Sequence, residues 1–515
     1  MAIKVTRRQM LAGSAAFAGA VFAGRMVSAQ EQRGELAVRV RRDLEVLDPA
    51  FRSGLDDANV LRAVFQNLVT FKPNTSEMVM DAAESFEAIS DTEFRFKLKP
   101  GQMFSDGYGE MTAEDVKFSF ERFKVSAPEG KESPYAADWA SLKAVEVDDK
   151  YTGRIVLDAP RASLMVIAIA DASGCIVCKR AVEERGVEHN IRPVGSNAMK
   201  VTGFEKQRQV TLERNPEYAG GAAGFEKIAV RFVQDPKTVE LALRSGELDF
   251  SEIDPTLADS VSGASGLKVD KLPGVANVWL GLNTHKPPFD NVKVREAVRS
   301  ALDVDQMLVA GYDGKVERAN ALIMPRVLGH WADAPVHVRD LDKAKALLAE
   351  AGQPNGFTAR ITVLNQPSYT NMALVAQAQL AEVGINLEID ARDGGTFWSA
   401  GKGADGEKLD MFIVRFNGKL DPNFLAQWFK SEQVGIWNWQ RWASKEFDEI
   451  LDGAAREMDA DKRTAMIVAA QKLMEESAAF VWLTYDVNFV ARRDWLKPAL
   501  MPSGIDWQLH RFQPE

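Results

Sequence analysis

The chain has 515 residues, 46% of them apolar and 26% charged, with 37 Gly and 21 Pro. At roughly 150 residues per domain this is about three domains of ordinary globular composition, which excludes a disordered, collagen-like or disulfide-scaffolded chain. Lys and Arg number 63 against 73 Asp and Glu, a net charge of −10. Bulk charge therefore gives no support to a polyanion binder, and nucleic acid is not an expected partner.

Residues 1–29 read as a segment to be removed. They contain Lys4, Arg7, Arg8 and Arg25 and no acid, then an apolar stretch over 10–24, then Val27-Ser28-Ala29. That order is a secretory signal peptide cleaved near Ala29, and Thr6-Arg7-Arg8-Gln9-Met10-Leu11 resembles a twin-arginine export signal. The stretch falls short of the roughly 20 residues of a membrane span, and no later run reaches that length. A soluble, exported product is expected. The two cysteines, Cys175 and Cys178, form a lone CxxC after the apolar run 164–169. Zinc needs four ligands, and on a strand residues three apart point to opposite faces, so both read as buried small hydrophobes.

In chain order, 35–40 alternates apolar and charged residues and predicts a strand. Residues 56–68 carry a helical pattern, with Asp56 or Asp57 placed to cap it. A strand at 94–98 stops at Pro100-Gly101. Thr112 and Asp115 have capping-box spacing ahead of a helix bearing Val116, Phe118, Phe120 and Phe123. A loop is expected at 194–199 and a strand at 210–214, closed by Asn215-Pro216. The second half predicts strands at 275–282, 359–364, 385–390 and 409–414, with helices at 292–302, 343–351 and 369–383. A long helix at 459–477, an apolar strand at 480–485 and a return strand at 489–492 end the chain. The alternation predicts an α/β (mixed α+β) class, with lobes built around sheets.

Catalytic signatures are thin. There is no HExxH and no phosphate loop, and the mature chain has no GxSxG. Gly401-Lys402-Gly403-Ala404-Asp405-Gly406 matches GxGxxG, but a dinucleotide site needs a strand before it and a helix after it. Here that order is reversed, so a loop is expected. His189, His285, His330, His337 and His510 are scattered, with no spacing that places two on one face. No catalytic residue, metal site or cofactor is assigned.

Several segments belong together: Leu47-Asp48-Pro49, Ser105-Asp106-Gly107, Thr112-Ala113-Glu114-Asp115-Val116-Lys117-Phe118, Leu212-Glu213-Arg214-Asn215-Pro216, Leu282-Asn283-Thr284 and Val294-Arg295-Glu296-Ala297. In this order and spacing, across nearly the whole mature chain, they resemble the extracytoplasmic solute-binding proteins of the peptide, nickel and opine ABC transporter group. The resemblance implies a two-lobed fold of the type II periplasmic-binding-protein kind, with an extra domain inserted in the first lobe and a ligand cleft between lobes. It places a discontinuous domain I at 30–48, 189–272 and 490–515, an inserted domain II at 49–188, and domain III at 273–489. It also implies a periplasmic monomer without chemistry of its own, which closes on a small-molecule ligand and delivers it to ABC transporter permease subunits.

The resemblance also points to site residues. Aligned on Asp421-Pro422 without gaps, the aspartate with which peptide-binding relatives pair a ligand amine falls on Gly418, and their upstream tryptophan on Arg415. Arg415, with Asn417 and Lys419 nearby, instead favours a carboxylate or phosphate, unless a protein carboxylate takes the guanidinium. Trp428, Trp437, Asn438 and Trp439 are expected to wall the pocket, Trp437 and Trp439 from one face if the segment is a strand; lobe core is the alternative. Trp398, beside the glycine-rich loop, is expected to close on the ligand. Phe51, Arg52 and Asn197 are the expected first-lobe contacts. The expected solute is peptide-like, opine-like or another anionic conjugate. A nickel-type metal chelate and a secreted hydrolase are the competing readings.

Overall fold

Every residue of the strand Ala276–Leu282 is buried, the mark of an interior strand in a sheet covered on both faces. It runs antiparallel between Met411–Asn417 and Phe480–Thr484. Phe357–Leu364 and Ile385–Arg392 complete a five-stranded sheet, each parallel to its neighbour. Val278, Leu280 and Leu282 point to one core, which the helices Val292–Ala301, Val304–Tyr312 and Pro367–Ala381 cover. Trp279 points the other way, into an aromatic core with Phe412, Trp439 and Trp482. The structure is a computed structural model that describes residues 34–52, 54–125, 132–504 and 506–515. The expected export segment, 1–29, lies outside the described residues.

A second, seven-stranded sheet centres on Glu35–Val40, which runs parallel to Lys227–Phe232 on one side and Phe250–Ile253 on the other. Gln209–Arg214 and Met199–Glu205 extend it one way, Val487–Arg493 and Leu267–Pro273 the other. A third, four-stranded antiparallel sheet orders Ala83–Ser90, Glu93–Leu98, Thr152–Leu157 and Leu142–Val147. In Glu93–Leu98 the buried Phe94, Phe96 and Leu98 alternate with the outward Arg95 and Lys97. The helix Ala113–Glu121 packs on this sheet. Its start is fixed as the spacing predicts, Asp115 accepting the Thr112 N–H at 2.9 Å, a cap worth about 1 kcal/mol.

Two short crossovers join the large sheets. Leu267–Pro273 passes to Ala276–Leu282 through Gly274 and Val275, and Phe480–Thr484 passes to Val487–Arg493 through Tyr485 and Asp486. The Gly274 N–H donates to the Asp486 carbonyl at 3.3 Å, so the crossovers are bonded side by side.

Four local expectations change. The first helix runs over Leu55–Val64 with Gly54 as its cap, and Asp57 accepts the Gly54 N–H at 2.9 Å rather than capping by itself. Residues Met165–Ile169 coil into a helical turn instead of a strand. Cys175 and Cys178, beyond it, are free and buried, and burial pushes their thiols up to about 12 and about 11. The strand expected at 409–414 begins at Met411 and runs on to Asn417, which carries Arg415 on the strand itself. The glycine-rich run follows the helix Gly394–Ala400 and precedes that strand, as read from the sequence, but Gly403–Gly406 forms a short helical turn rather than the expected loop.

Candidate ligand cavity between the lobes

Glu35–Val40 and Phe250–Ile253 in one sheet, and Phe357–Leu364 and Met411–Asn417 in the other, bring their carboxyl ends to a cavity of about 750 Å³. Parallel strands of open α/β sheets present ligand sites at these ends, and the volume suits a small organic molecule. The lobes touch outside the cavity as well. Lys419 meets Asp171 at 2.7 Å, Lys315 meets Asp259 at 3.0 Å, and the Ala162 N–H donates to the Ala455 carbonyl at 3.0 Å.

The first-lobe wall is charged. Arg39, Arg41 and Arg42 leave the end of Glu35–Val40, and Glu252 and Asp254 the end of Phe250–Ile253. Arg39 is only 6% exposed. Its Nε donates to the Val233 carbonyl at 2.7 Å, Nη1 to that of Glu252 at 3.1 Å and Nη2 to that of Gln234 at 3.3 Å. Burial, reinforced by the nearby Arg41, lowers the Arg39 guanidinium to about 10. Arg41 is paired with Glu252. The Asp254 carboxylate caps the next turn, accepting the Thr256 N–H at 2.9 Å and its hydroxyl at 2.6 Å.

The second-lobe wall is aromatic. Trp398 stacks on Phe416 with centroids 6.2 Å apart, Phe416 meets Trp437 edge-on at 5.9 Å, and Trp437 meets Trp428 edge-on at 6.0 Å. Arg415 lies beside this group. Its Nε donates to the Asp486 carboxylate and its Nη1 to Asn417 Oδ1 at 2.5 Å. Burial disfavours the Arg415 charge, but Asp486 and then Tyr369 more than offset it, so the guanidinium stays protonated. Burial pushes the Tyr369 phenol up to about 12 and raises that of Tyr312 well above its usual value.

Of the residues expected at the site, Arg415, Asn417, Trp398, Trp428 and Trp437 stand on this wall. The others lie elsewhere, each for a visible reason. Residues 431–442 form turns rather than a strand, so Trp437 faces the cavity while Trp439 turns into the core, fully buried against Phe397 and Phe412. Gly401 is a glycine because of that packing, since a Cβ there would stand 2.1 Å from the Trp439 indole. Asn438 spends its amide on the carbonyls of Phe429 (2.9 Å) and Trp442 (2.7 Å). Asn197 does the same with Arg62 at 2.7 Å and Phe65 at 3.2 Å. Arg52 is buried with its guanidinium 3.4 Å over the Tyr135 ring, and Phe51 packs against the core of the four-stranded sheet, 5.5 Å from the Arg122 guanidinium.

Lys419 is held by Asp171, away from the cavity lining. Gly418, the position aligned with an amine-binding aspartate, has no room for a side chain: a Cβ would lie 2.1 Å from Leu425 Cδ2 and 2.4 Å from the Val275 carbonyl. Sequence reading missed Arg39, Arg41, Arg42, Glu252, Asp254 and Asp486. The signal for three of them was present, because Arg39-Val40-Arg41-Arg42 ends the first predicted strand, where α/β sheets carry ligand contacts. None of the five histidines lines the cavity. Among the described residues, no cluster of three or more His, Cys, Asp or Glu could hold a metal.

The profile of the family described as "Bacterial extracellular solute-binding proteins, family 5 Middle" matches residues 77–435, well over half of the chain. The chain belongs to this family. The solute-binding protein is 26% identical to the dipeptide-binding protein of Escherichia coli (strain K12) over 463 residues, covering 84% of this chain and 86% of that one. It superimposes on the DppA periplasmic binding protein of Helicobacter pylori, solved with the peptide STSA, with a TM-score of 0.78 and 26% identity, covering 95% of this chain and 100% of that one. Against MoaA in complex with mannopinic acid, from A. tumefacien R10, the TM-score is 0.76 and the identity 28%, covering 94% and 100%. The fold of this solute-binding protein is thus the two-lobed type II arrangement. Among its described residues no helix is long and apolar enough to cross a membrane.

Proposed function

We propose that this protein is the periplasmic capture subunit of an ABC importer, exported through the 1–29 segment and acting as a monomer. It closes on one small organic solute, peptide-like, opine-like or another anionic conjugate, and presents it unchanged to the membrane permease. The observation that carries this reading is the cavity itself. About 750 Å³ is walled by both sheets, and the chain passes between the sheets at two short crossovers bonded to each other at Gly274 and Asp486. A solute touching both walls binds the closed arrangement better than the open one and shifts the population towards it. The lining offers arginines, aromatic faces and carboxylates, each already suited to binding. Native mass spectrometry of freshly purified protein tests the reading, with a 1:1 small-molecule adduct as the expected result. A solute present at ~100 times its Kd should add about 2.7 kcal/mol of stability. Turnover of that solute by the purified protein would contradict the proposal.

A further inference from the structure

Among the residues that line the cavity the charges do not cancel, although Asp56, just outside the lining, accepts the Arg42 main-chain N–H at 3.0 Å. Four arginines face three carboxylates. Arg415 is matched by Asp486 and Arg41 by Glu252. Asp254 is spent on the Thr256 N–H and hydroxyl. That leaves Arg39 and Arg42. Among the described residues no carboxylate lies within ion-pair distance of either guanidinium, and the three bonds Arg39 makes all go to main-chain carbonyls. A guanidinium has five N–H donors, so one N–H on each of Nη1 and Nη2 remains to Arg39. Glu252 and Asp56 act on Arg39 only from beyond contact distance; a buried cation without a contact partner is unfavourable, and a carboxylate from outside relieves that cost while accepting those N–H groups.

The opposite wall has a different chemistry. Trp398, Phe416, Trp428 and Trp437 form a continuous series of ring contacts at 5.9 to 6.2 Å; Arg415, the second-lobe cation that lines the cavity, is already neutralised, and Lys402 Nζ lies over the Trp437 ring, 4.9 Å from its centroid. This face suits the flat or ring-shaped body of a ligand rather than its charge. We infer that the cavity binds a carboxylate-bearing molecule with a planar or ring-containing body, its carboxylate held by Arg39 and Arg42 of the first lobe and its body by Trp398, Phe416, Trp428 and Trp437 of the second. The inference rests on the solute-capture reading and deepens it. A ligand gripped at its charged end by one lobe and at its body by the other makes both sets of contacts only when the lobes are closed, which is the differential affinity that closure needs.

The test is calorimetric titration with a fixed panel of probes: aromatic dipeptides, N-acyl aromatic amino acids and sugar–amino-acid conjugates, each carboxylate matched by its neutral amide. The expected result is binding by a carboxylate member with its amide weaker by about tenfold or more. R42Q and R39M should each weaken that carboxylate and leave the amide unaffected. R39M also removes three bonds to the main chain, so the exposed R42Q carries the test if R39M does not fold. Equal affinity for carboxylate and amide, or wild-type carboxylate affinity in both variants, overturns the assignment. Binding by amides alone overturns it and leaves solute capture standing. Binding by no member, in protein with normal melting behaviour, overturns both.

Discussion

Arg415, on the ligand-facing wall of the second lobe, donates through Nε to the carboxylate of Asp486, the residue at which the chain crosses back to the first lobe. Asp486 has φ +54 and accepts at its carbonyl from Gly274 of the other crossover. One ion pair therefore joins the cavity wall to both connections between the lobes. Any movement of Arg415 is felt at the position about which the lobes must turn.

Removing Arg415 leaves the Asp486 carboxylate, 9% exposed, without its counter-charge. R415M should lose about 2 to 3 kcal/mol, below the full cost of breaking a deeply buried pair because the arginine keeps some contact with solvent. The double variant R415M/D486N should recover most of that loss. Urea denaturation of the two single variants and the double variant measures the coupling. A simple sum of the single losses would deny that the pair acts as a unit.

The two tryptophans at 437 and 439 should separate binding from stability. W437A removes an aromatic face from the cavity and should weaken solute binding by about tenfold with a normal melting temperature. W439A empties a fully buried site and should cost about 3 to 5 kcal/mol of stability. Melting curves and titrations on both variants check the contrast. Equal melting temperatures would show that the core position is misassigned.

Acid should weaken the fold through its buried histidines. Burial lowers His189 to about 4 from an ordinary 6.5, and its Nε2 accepts the Val194 N–H at 3.2 Å as a neutral ring. Between those two pH values the unfolded chain binds a proton that the folded one refuses, so stability is complete above about 6.5 and falls as the pH drops towards about 4. The loss from this site is about 3 kcal/mol. H189Q should flatten that part of the profile of urea midpoint against pH. His510, lowered to about 3, extends the same trend further into acid.

Lys419 closes a contact between the lobes, 2.7 Å from Asp171 and 3.8 Å from Asp138. Burial opposes the charge on Asp171, but Lys419 and then Arg62 outweigh it and hold the carboxyl well below its usual range. When the lobes part, Asp171 keeps Arg62 while the Lys419 ammonium returns to water. K419M should lower the closed population and raise the apparent Kd about fivefold to tenfold, with an expanded ligand-free radius of gyration in X-ray scattering. Unchanged affinity and radius would remove Lys419 from the closure equilibrium.

The periodic parts of the chain were legible before the structure. Glu35–Val40 and the long helix Ala460–Ser477 were read to within a residue, because alternation and a 3.6-residue apolar period follow directly from which face is buried. The turns at 431–442 were not readable in that way. There the fate of each tryptophan depends on contacts distant in sequence, such as Gly401 making room for Trp439. Asn438 and Asn197 look like ligand contacts in sequence because their amides are polar, and only the fold shows those amides tied to main-chain carbonyls. Arg415 stands on the cavity wall, but its partner, Asp486, lies 71 residues away and has no local signature.

Closure of the two lobes over a solute, about the crossovers at Gly274 and Asp486, can be measured directly. X-ray scattering from the full chain, first stripped of small molecules and then saturated with the solute recovered from the native protein, tests it most directly. The radius of gyration should fall on saturation while the solute is recovered chemically unchanged. An identical scattering curve with and without bound solute would contradict it.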